Sequence, residues 1–244
     1  MPELMFLTPD WCVPARVRAF MTTRTGGVSA EPRTSFNLAT HVGDDPAAVV
    51  ENRSRLRHAL GLPEEPAWLE QVHGTGVAVL PAAGPVPADA AVTFTRGHVC
   101  AVLVADCLPV FLASRAGDRV GVAHAGWRGL AAGVVEATIT ALACEPGEVV
   151  AWLGPSIGAP AFEVGPEVRD AFLAQDEGAA AAFQPGRPGR WLADLPGLAR
   201  RRLEAAGVTA VSGGDLCTHT DAARFFSFRR DGATGRMAAL AWLD

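Results

Sequence analysis

Several short apolar runs, in which polar residues do not alternate with apolar ones, constrain the fold of this chain most strongly. Residues 99–105, 110–113 and 149–153 consist entirely of Val, Ala, Leu and other apolar residues. A strand of this kind is buried on both faces, so its sheet needs a covering layer on each side. The runs therefore predict a sheet in the interior of the molecule.

The same patterns predict nine strands and four helices along the chain. The strands are residues 16–23, 67–72, 76–80, 90–94, 99–105, 110–113, 119–123, 149–153 and 238–243, and the helices are residues 46–60, 130–142, 166–175 and 195–206. Asp45 suits the N-cap of the first helix, because its carboxylate can accept a bond from a free backbone amide. Residues 81–87 and 176–190 are predicted loops. We therefore expect a single α+β domain over residues 1–244, with a large mixed β-sheet in two β layers flanked by helices.

Composition excludes several classes of protein. A net charge of -5 argues against a general nucleic-acid binder, which needs a basic face to neutralise phosphates. Five cysteines, without a Cys-x-x-Cys pair, predict a reducing compartment rather than a disulfide framework. No apolar run is long enough to cross a bilayer, and no basic leader is apparent. We therefore expect a cytoplasmic protein with neither nucleic acid nor a membrane as partner.

Three potential metal ligands, His73, Cys107 and His124, each follow a predicted strand and precede Gly or Pro by one or two residues. One thiolate and two imidazoles suit zinc with one coordination position left open, which is typical of a catalytic zinc site; copper also binds such ligands. The three residues lie far apart in the sequence, so tertiary structure would have to assemble them. Taken singly, such a cysteine is more often a packing residue and such a histidine a hydrogen-bonding one.

Further polar residues are candidates for catalysis and phosphate binding. Asp106 could be a general acid or base, could orient a histidine ligand of the metal, or could bind the backbone of its own loop. In an extended segment its side chain points away from that of Cys107, unless the strand bends. Arg24, Arg128 and Arg229 lie in three turns, and a guanidinium can hold phosphate through two parallel bonds. Each arginine taken alone could equally be a solvated surface residue.

These motifs together resemble those of the YfiH-like family, whose members are also described as laccase-domain proteins or multicopper polyphenol oxidases. The matching stretches follow one order along almost the whole chain: TTRTGGVS (22–29), NL (37–38), HVGDD (41–45), QVHG (71–74), ADCLP (105–109), HAGWRG (124–129), LGPSIG (153–158), FEVG (162–165), FSFRRDG (226–232) and TGR (234–236). Asn37 is a candidate substrate contact, and His41 is either a fourth ligand, a substrate contact or a local hydrogen-bonding residue. Phe228 departs from the family, which often has Tyr there.

The resemblance implies a single α+β fold in which His73, Cys107 and His124 bind zinc. It also implies phosphorolysis of adenosine, inosine, guanosine and methylthioadenosine, and deamination of adenosine. The expected partners are therefore purine nucleosides and phosphate. In the deamination, Asp106 would move the proton to and from a metal-activated water.

Three other functions stay open at the level of sequence. A copper-dependent polyphenol oxidase is one, although a multicopper site needs His-x-His pairs and none of the six histidines forms one. A hydrolase acting on peptidoglycan precursors, with Cys107 as nucleophile and His124 as base, is another. A zinc-stapled interaction module is the third, and the lack of a fourth ligand argues against it.

Overall fold

Strands rather than helices form most of this molecule. The computed structural model describes residues 3–82 and 86–244. Its strands are β1 (Phe6–Leu7), β2 (Val17–Thr22), β3 (Ala67–Trp68), β4 (Val77–Leu80), β5 (Ala90–Thr93), β6 (Cys100–Val104), β7 (Leu108–Ser114), β8 (Val120–Ala125), β9 (Val149–Leu153), β10 (Glu163–Val164), β11 (Phe183–Pro185), β12 (Trp191–Ala193), β13 (Ala210–Gly213) and β14 (Met237–Leu243). Its α-helices are α1 (Pro46–Leu60), α2 (Trp127–Ala132), α3 (Val134–Leu142), α4 (Pro166–Leu173), α5 (Leu195–Ala205) and α6 (Phe228–Asp231).

The strands form two large mixed sheets and one small sheet. The first sheet has the order β1-β2-β14-β6-β3 and is antiparallel except between β3 and β6. The second has the order β13-β9-β7-β8-β5-β4, with a parallel pair at each edge. Strands β10, β12 and β11 form the small antiparallel sheet. The predicted fold class, an α+β fold with mixed β layers flanked by helices, is confirmed.

Strand β6 shows why the apolar runs are buried on both faces. Val102 belongs to the core between the two large sheets, where Phe111 of the second sheet also lies. The adjacent Leu103 belongs to a separate cluster with Leu56 of α1. Helices α3 and α5 contribute to a third cluster with the second sheet. Each large sheet is therefore covered by the other sheet on one face and by helices on the opposite face.

The chain passes from the first sheet to the second between β6 and β7, within residues 105–107. Asp106 has a φ of 86° at this crossing, in a region that residues with a side chain seldom adopt. The chain therefore bends at Asp106, as it would have to for the side chains of Asp106 and Cys107 to reach one pocket. As a result, Cys107 lies at the start of β7, beside the junction of the two sheets.

The helices largely follow the sequence signals. Asp45 caps α1 as predicted, and its carboxylate accepts a hydrogen bond of 2.9 Å from the amide of Ala47. The single helix predicted over residues 130–142 is wrong, because α2 and α3 are separate helices on either side of Gly133. Gly133 has a φ of 103°, a left-handed conformation that glycine adopts at little steric cost.

Other boundaries also differ from the prediction. The strand predicted over residues 67–72 ends at Trp68, and the side chain of Gln71 bonds the backbone of β6 instead. The loop predicted over residues 176–190 contains a 3₁₀ helix, Glu177–Ala182, and β11. Strands β1, β10, β12 and β13 were not predicted, because two to four residues are too few for a periodic pattern.

The loop predicted over residues 81–87 includes residues 83–85, which lie outside the described residues. Within the described ranges, no helix combines the length and the apolar character that crossing a membrane requires.

Candidate metal centre

Three strand ends and loops bring His73, Cys107 and His124 together. His73 lies in the loop between β3 and β4, Cys107 directly precedes β7, and His124 is the penultimate residue of β8. Because β7 and β8 are antiparallel, with Pro109 opposite His124, the start of one lies beside the end of the other. The potential donor atoms of the three side chains all lie within 4.8 Å of one another. The predicted trio is therefore assembled in space.

The geometry and chemistry of the trio fit a metal ion. Zinc bonds of about 2.3 Å to sulfur and about 2.0–2.1 Å to nitrogen place two tetrahedral ligands roughly 3.5 Å apart. Donors within 4.8 Å of one another reach this arrangement through small side-chain movements. The rings of His73 and His124 meet edge to face, with centroids 4.8 Å apart. His124 is buried whereas His73 is exposed, so the group is open towards solvent on one side.

The charges of Cys107 and His124 depend on each other. Burial opposes ionisation of the Cys107 thiol, but the neighbouring His124 and His73 lower its pKa from 9.0 to about 6. Burial likewise opposes protonation of His124, but Cys107 and Asp89 raise its pKa from 6.5 to about 9. In the metal-free pair each group therefore favours the charged form of the other, a thiolate for Cys107 and an imidazolium for His124. The thiolate is the form of cysteine that binds metals and acts as a nucleophile.

Asp89 completes the centre, although the sequence analysis did not single it out. Its carboxylate is 0% exposed, lies 2.9 Å from Nδ1 of His124, and accepts hydrogen bonds from the amides of Val72, His73 and Gly74. Burial raises the pKa of Asp89, but these hydrogen bonds outweigh it and leave the pKa below its ordinary value. The one signal in the sequence is an acidic residue directly before the wholly apolar start of a buried strand.

Asp106 lies next to the trio in the chain but is engaged elsewhere. One carboxylate oxygen accepts a hydrogen bond of 2.6 Å from the hydroxyl of Thr218, and the other accepts one of 2.7 Å from the backbone amide of Arg229. Asp106 thus ties the first turn of α6 to the crossing between the sheets. Among the described residues, the group that could hold a metal ion consists of His73, Cys107 and His124, without Asp106 or His41.

Two cavities adjoin the trio. The first cavity, of about 270 Å³, is lined by His41, Gln71, His73, Leu103, Ala105, Cys107, His124, Phe228 and Arg236. The second, which we call the arginine cavity, has a volume of about 440 Å³ and is lined by His73, Cys107, Gly126, Trp127, Arg128, Phe162, Glu163, Val164, Gly165, Glu167, Val168, Arg190, Phe228 and Arg229. His73, Cys107 and Phe228 line both cavities, so the potential metal centre lies between them.

The four predicted substrate-binding residues divide into two pairs. Arg128 and Arg229 line the arginine cavity, whereas Arg24 and Asn37 line neither cavity. The guanidinium of Arg24 donates hydrogen bonds to the carbonyls of Thr34 and Ala222. Asn37 is fully buried and bonds the backbone of Ala39 and Arg236 together with the carboxylate of Asp44. The structure therefore places the second pair in the framework around the site.

Several residues of the cavities were missed as site residues. Arg190 and Arg236 lie outside the three basic turns that were selected, and Phe228 was noted only as a departure from the family. Phe228 is 59% exposed, unusually high for a large apolar side chain beside a polar site. His41 lines the first cavity, where burial and the charges of Arg236 and Arg53 lower its pKa below 6.5. These surroundings therefore favour the neutral imidazole.

Similarity to known proteins extends over nearly the whole chain. Residues 18–244 match the family described as multi-copper polyphenol oxidoreductase laccase. The chain is 54% identical over 240 residues to a purine nucleoside phosphorylase of Pseudomonas aeruginosa, and the matched region covers 98% of each chain. It is 53% identical over 241 residues to the purine nucleoside phosphorylase YfiH of Escherichia coli, covering 97% of this chain and 98% of that protein. The crystal structure of the Neisseria meningitidis protein NMB0706 superposes with a TM-score of 0.94 at 52% identity, covering 98% of this chain and 99% of that chain.

Proposed function

The chain belongs to the multi-copper polyphenol oxidoreductase laccase family. Within this family, we propose that it is a zinc-dependent purine nucleoside phosphorylase. Its substrates are adenosine, inosine, guanosine and methylthioadenosine, and it also deaminates adenosine. The observation that carries the proposal is the His73–Cys107–His124 group between two cavities, one of them lined by three arginines. The names of relatives that are 53–54% identical support the phosphorylase activity.

Zinc is the metal that the donor set favours. A thiolate and two imidazoles at one centre, with one side open, match a catalytic zinc. A multicopper oxidase needs several copper ions, and the described part of the chain contains one group of three His, Cys, Asp or Glu donors suited to a metal ion. When bound, the zinc ion supplies a positive charge that polarises a substrate atom or activates a water molecule.

The arginine cavity is the proposed phosphate site. In phosphorolysis an oxygen of inorganic phosphate bonds to C1′ of the ribose while the bond from C1′ to the purine nitrogen breaks, and the bonding electrons leave with the purine. The purine nitrogen takes up the proton that the phosphate gives up, and the products are ribose 1-phosphate and the free purine. Arg128, Arg190 and Arg229 line the cavity. The positive charges of Arg128 and Arg190 would hold the phosphate and stabilise its transfer. The guanidinium of Arg229 already donates a hydrogen bond to the carbonyl of Glu163 and would add its charge beside them. No described residue accepts a hydrogen bond from the guanidinium of Arg128 or Arg190, so both are available for this anion.

The first cavity is the proposed nucleoside site. Phe228 offers an exposed aromatic face on which a purine can stack. His41 and Arg236 line the same cavity and can bond polar atoms at the edge of the base. Because Phe228 also lines the arginine cavity, a nucleoside there would present its ribose towards the bound phosphate.

Arg128 and Phe228 would contact the substrates, whereas Asp106 holds the backbone beside them. Its hydrogen bond to the amide of Arg229 holds α6, which carries Phe228 and Arg229, against the metal centre. Its role as the proton-moving carboxylate of deamination stays a prediction. Asp106→Asn keeps one oxygen as acceptor but cannot take up a proton, so it separates the two roles. Loss of deamination with phosphorolysis retained would support proton transfer, whereas loss of both would indicate the positioning role.

One experiment tests the proposed function directly. Protein purified without added copper is analysed for bound metals and incubated with adenosine in the presence and absence of phosphate, and the products are identified by mass. We expect zinc, adenine and ribose 1-phosphate that depend on phosphate, and inosine that does not. His124→Ala should abolish phosphorolysis, whereas His58→Ala, on the exposed surface of α1, should not. Bound copper with phenol oxidation and without phosphorolysis would favour an oxidase instead.

A thiol hydrolase is a second candidate, because the site contains the elements of a Cys–His–Asp triad; peptidoglycan precursors are the substrates that the family resemblance implies for it. Asp89 contacts His124, and His124 in turn lowers the pKa of Cys107. These are the relations of an activated nucleophile to its base and of the base to an orienting carboxylate. Turnover that survives removal of the metal, with an acyl group trapped on Cys107, would favour the hydrolase over the phosphorylase.

A further inference from the structure

We propose that Asp89 is the positioning residue of the metal centre, a single buried carboxylate that orients both histidine ligands. The inference rests on the proposed function only in that His73, Cys107 and His124 bind a metal ion. Asp89 directly precedes β5 and lies outside the motifs that carry the family resemblance. Its contacts, rather than its place in the sequence, point to this role.

Asp89 holds His124 at two points. Its carboxylate oxygen Oδ1 lies 2.9 Å from Nδ1 of His124, and its backbone carbonyl accepts a hydrogen bond of 2.7 Å from the amide of His124. With Nδ1 bonded to the carboxylate, Nε2 is the ring nitrogen left for a metal ion. A carboxylate behind a histidine ligand fixes its tautomer and ring orientation and makes the ligand more basic.

The same carboxylate holds the loop that carries His73. Its two oxygens accept hydrogen bonds from the amides of three consecutive residues, at 3.2 Å from Val72, 2.9 Å from His73 and 2.6 Å from Gly74. His73 has a φ of 60°, which a residue with a side chain adopts only at a cost. The converging amides stabilise this loop conformation, and with it the position of the His73 ring near that of His124.

The burial of Asp89 makes these bonds hard to replace. Its carboxylate is 0% exposed, so water cannot take over the role of a missing partner. Four donors converge on two oxygens, and an asparagine at this position would offer one oxygen and present an amide group to the remaining donors. Asp89→Asn should therefore change the orientation of His124, of the His73 loop, or of both, while altering the size of the side chain little.

The test compares zinc binding to the full chain and to three variants by competition with a chromogenic chelator. Asp89→Asn and Asp89→Ala should bind zinc about 10- to 100-fold more weakly than the wild type, as is usual when a carboxylate behind a metal ligand is removed. The matched control is Asp194→Asn, which alters a carboxylate that caps α5 by accepting a bond from the amide of Gly197. It should leave zinc affinity unchanged. Wild-type zinc affinity in folded Asp89→Asn would overturn the inference.

Two further measurements separate positioning from general stability. Cobalt(II) in place of zinc reports ligand geometry through its visible absorption, which should change in Asp89→Asn and stay unchanged in Asp194→Asn. If the Asp89 variants do not fold, nitrogen-15 NMR of histidine in the zinc-bound wild type gives the answer. We expect a proton on Nδ1 of His124 and zinc on Nε2, and coordination through Nδ1 would overturn the inference.

The outcomes also distinguish this inference from the proposed function. Weak zinc binding by the Asp89 variants, together with a wild type that does not cleave nucleosides, would support the positioning role and contradict the phosphorylase. A wild-type phosphorylase whose Asp89→Asn variant binds zinc normally would support the enzyme and contradict the positioning role.

Discussion

Gly126→Ala is a minimal perturbation of the metal centre, because it adds one methyl group beside two of the ligands. A Cβ at this position would lie 2.9 Å from Sγ of Cys107 and 3.2 Å from Cδ2 of His73. Favourable contacts between carbon atoms begin at about 3.5 Å, so the thiolate has to move by roughly 0.6 Å and the imidazole by roughly 0.3 Å. The backbone of Gly126 has a φ of −62° and a ψ of 157°, which alanine adopts without strain.

Displacements of this size decide the expected result. A misplacement of about 1 Å in a catalytic arrangement can lower the rate about 100-fold, and these movements are somewhat smaller. We therefore expect zinc affinity and kcat/KM for adenosine phosphorolysis to fall about 10- to 100-fold. Replacing Gly by Ala in a compatible conformation stabilises a protein by about 0.4–1 kcal/mol, so the contacts with the ligands should reduce or reverse that gain in Gly126→Ala.

The matched control is Gly147→Ala, in the 3₁₀ helix Pro146–Glu148, where an added Cβ meets no atom within 4 Å. It should show the stabilisation alone, with zinc affinity and activity unchanged. Zinc affinity is measured by chelator competition, activity by product formation, and stability by urea unfolding of the metal-free proteins. If Gly126→Ala bound zinc and turned over adenosine like the wild type, Cys107 and His73 would not form the metal centre described above.

Three further results are expected. Arg128→Ala and Arg190→Ala should each raise KM for phosphate about tenfold or more, because a hydrogen bond between charged groups contributes about 1.5–3 kcal/mol. Arg57→Ala, which alters an exposed residue, serves as the control. Unchanged phosphate kinetics in both Arg128→Ala and Arg190→Ala would exclude the arginine cavity as the phosphate site. Phe228→Ala should raise KM for adenosine roughly 5- to 100-fold, because stacking on a base contributes about 1–3 kcal/mol. Phe228→Tyr keeps an aromatic ring and should leave KM unchanged, so an equal rise in KM in both variants would contradict stacking. In metal-free protein the ultraviolet absorbance of the Cys107 thiolate should increase as pH rises through about 6, because the pKa of Cys107 is lowered. If the absorbance increased only near the ordinary pKa of 9.0, or if the increase near pH 6 persisted in Cys107→Ser, the interaction with His124 would be refuted.

The sequence predicts the fold where an element is long enough to repeat its pattern. The run at β6 is buried on both faces, as its composition requires, and α1 begins and ends at the predicted residues. The break at Gly133 was not predicted, because glycine inside an apolar helical pattern is often tolerated and its left-handed conformation depends on how the flanking helices pack. The two layers follow from composition, but which strand lies beside which depends on contacts between distant segments.

The site was predictable to the extent that its chemistry resides in single residues. His73, Cys107 and His124 are rare ligand types at the ends of predicted strands, and the fold brings them together. Asp89 acts through four hydrogen-bond donors on two segments that precede and follow it in the chain. Nothing in its neighbours along the sequence indicates those donors. An orienting residue of this kind is therefore visible only once the backbone around it is known.

The arginines also differ in a way that the sequence does not predict. Arg24 and Arg128 are equivalent in sequence, since each was predicted to lie in a turn next to glycine or a hydroxyl residue. In the fold, the guanidinium of Arg24 already donates to two backbone carbonyls and lies 4.8 Å from the ring of Phe226. To bind phosphate it would have to give up those bonds, each contributing about 1 kcal/mol. Arg128 stacks on Trp127 at the edge of the arginine cavity and has no such bonds to lose within the described part of the chain. The capacity to bind an anion thus depends on which hydrogen bonds a side chain has already made, and this difference favours Arg128 over Arg24 as a phosphate ligand.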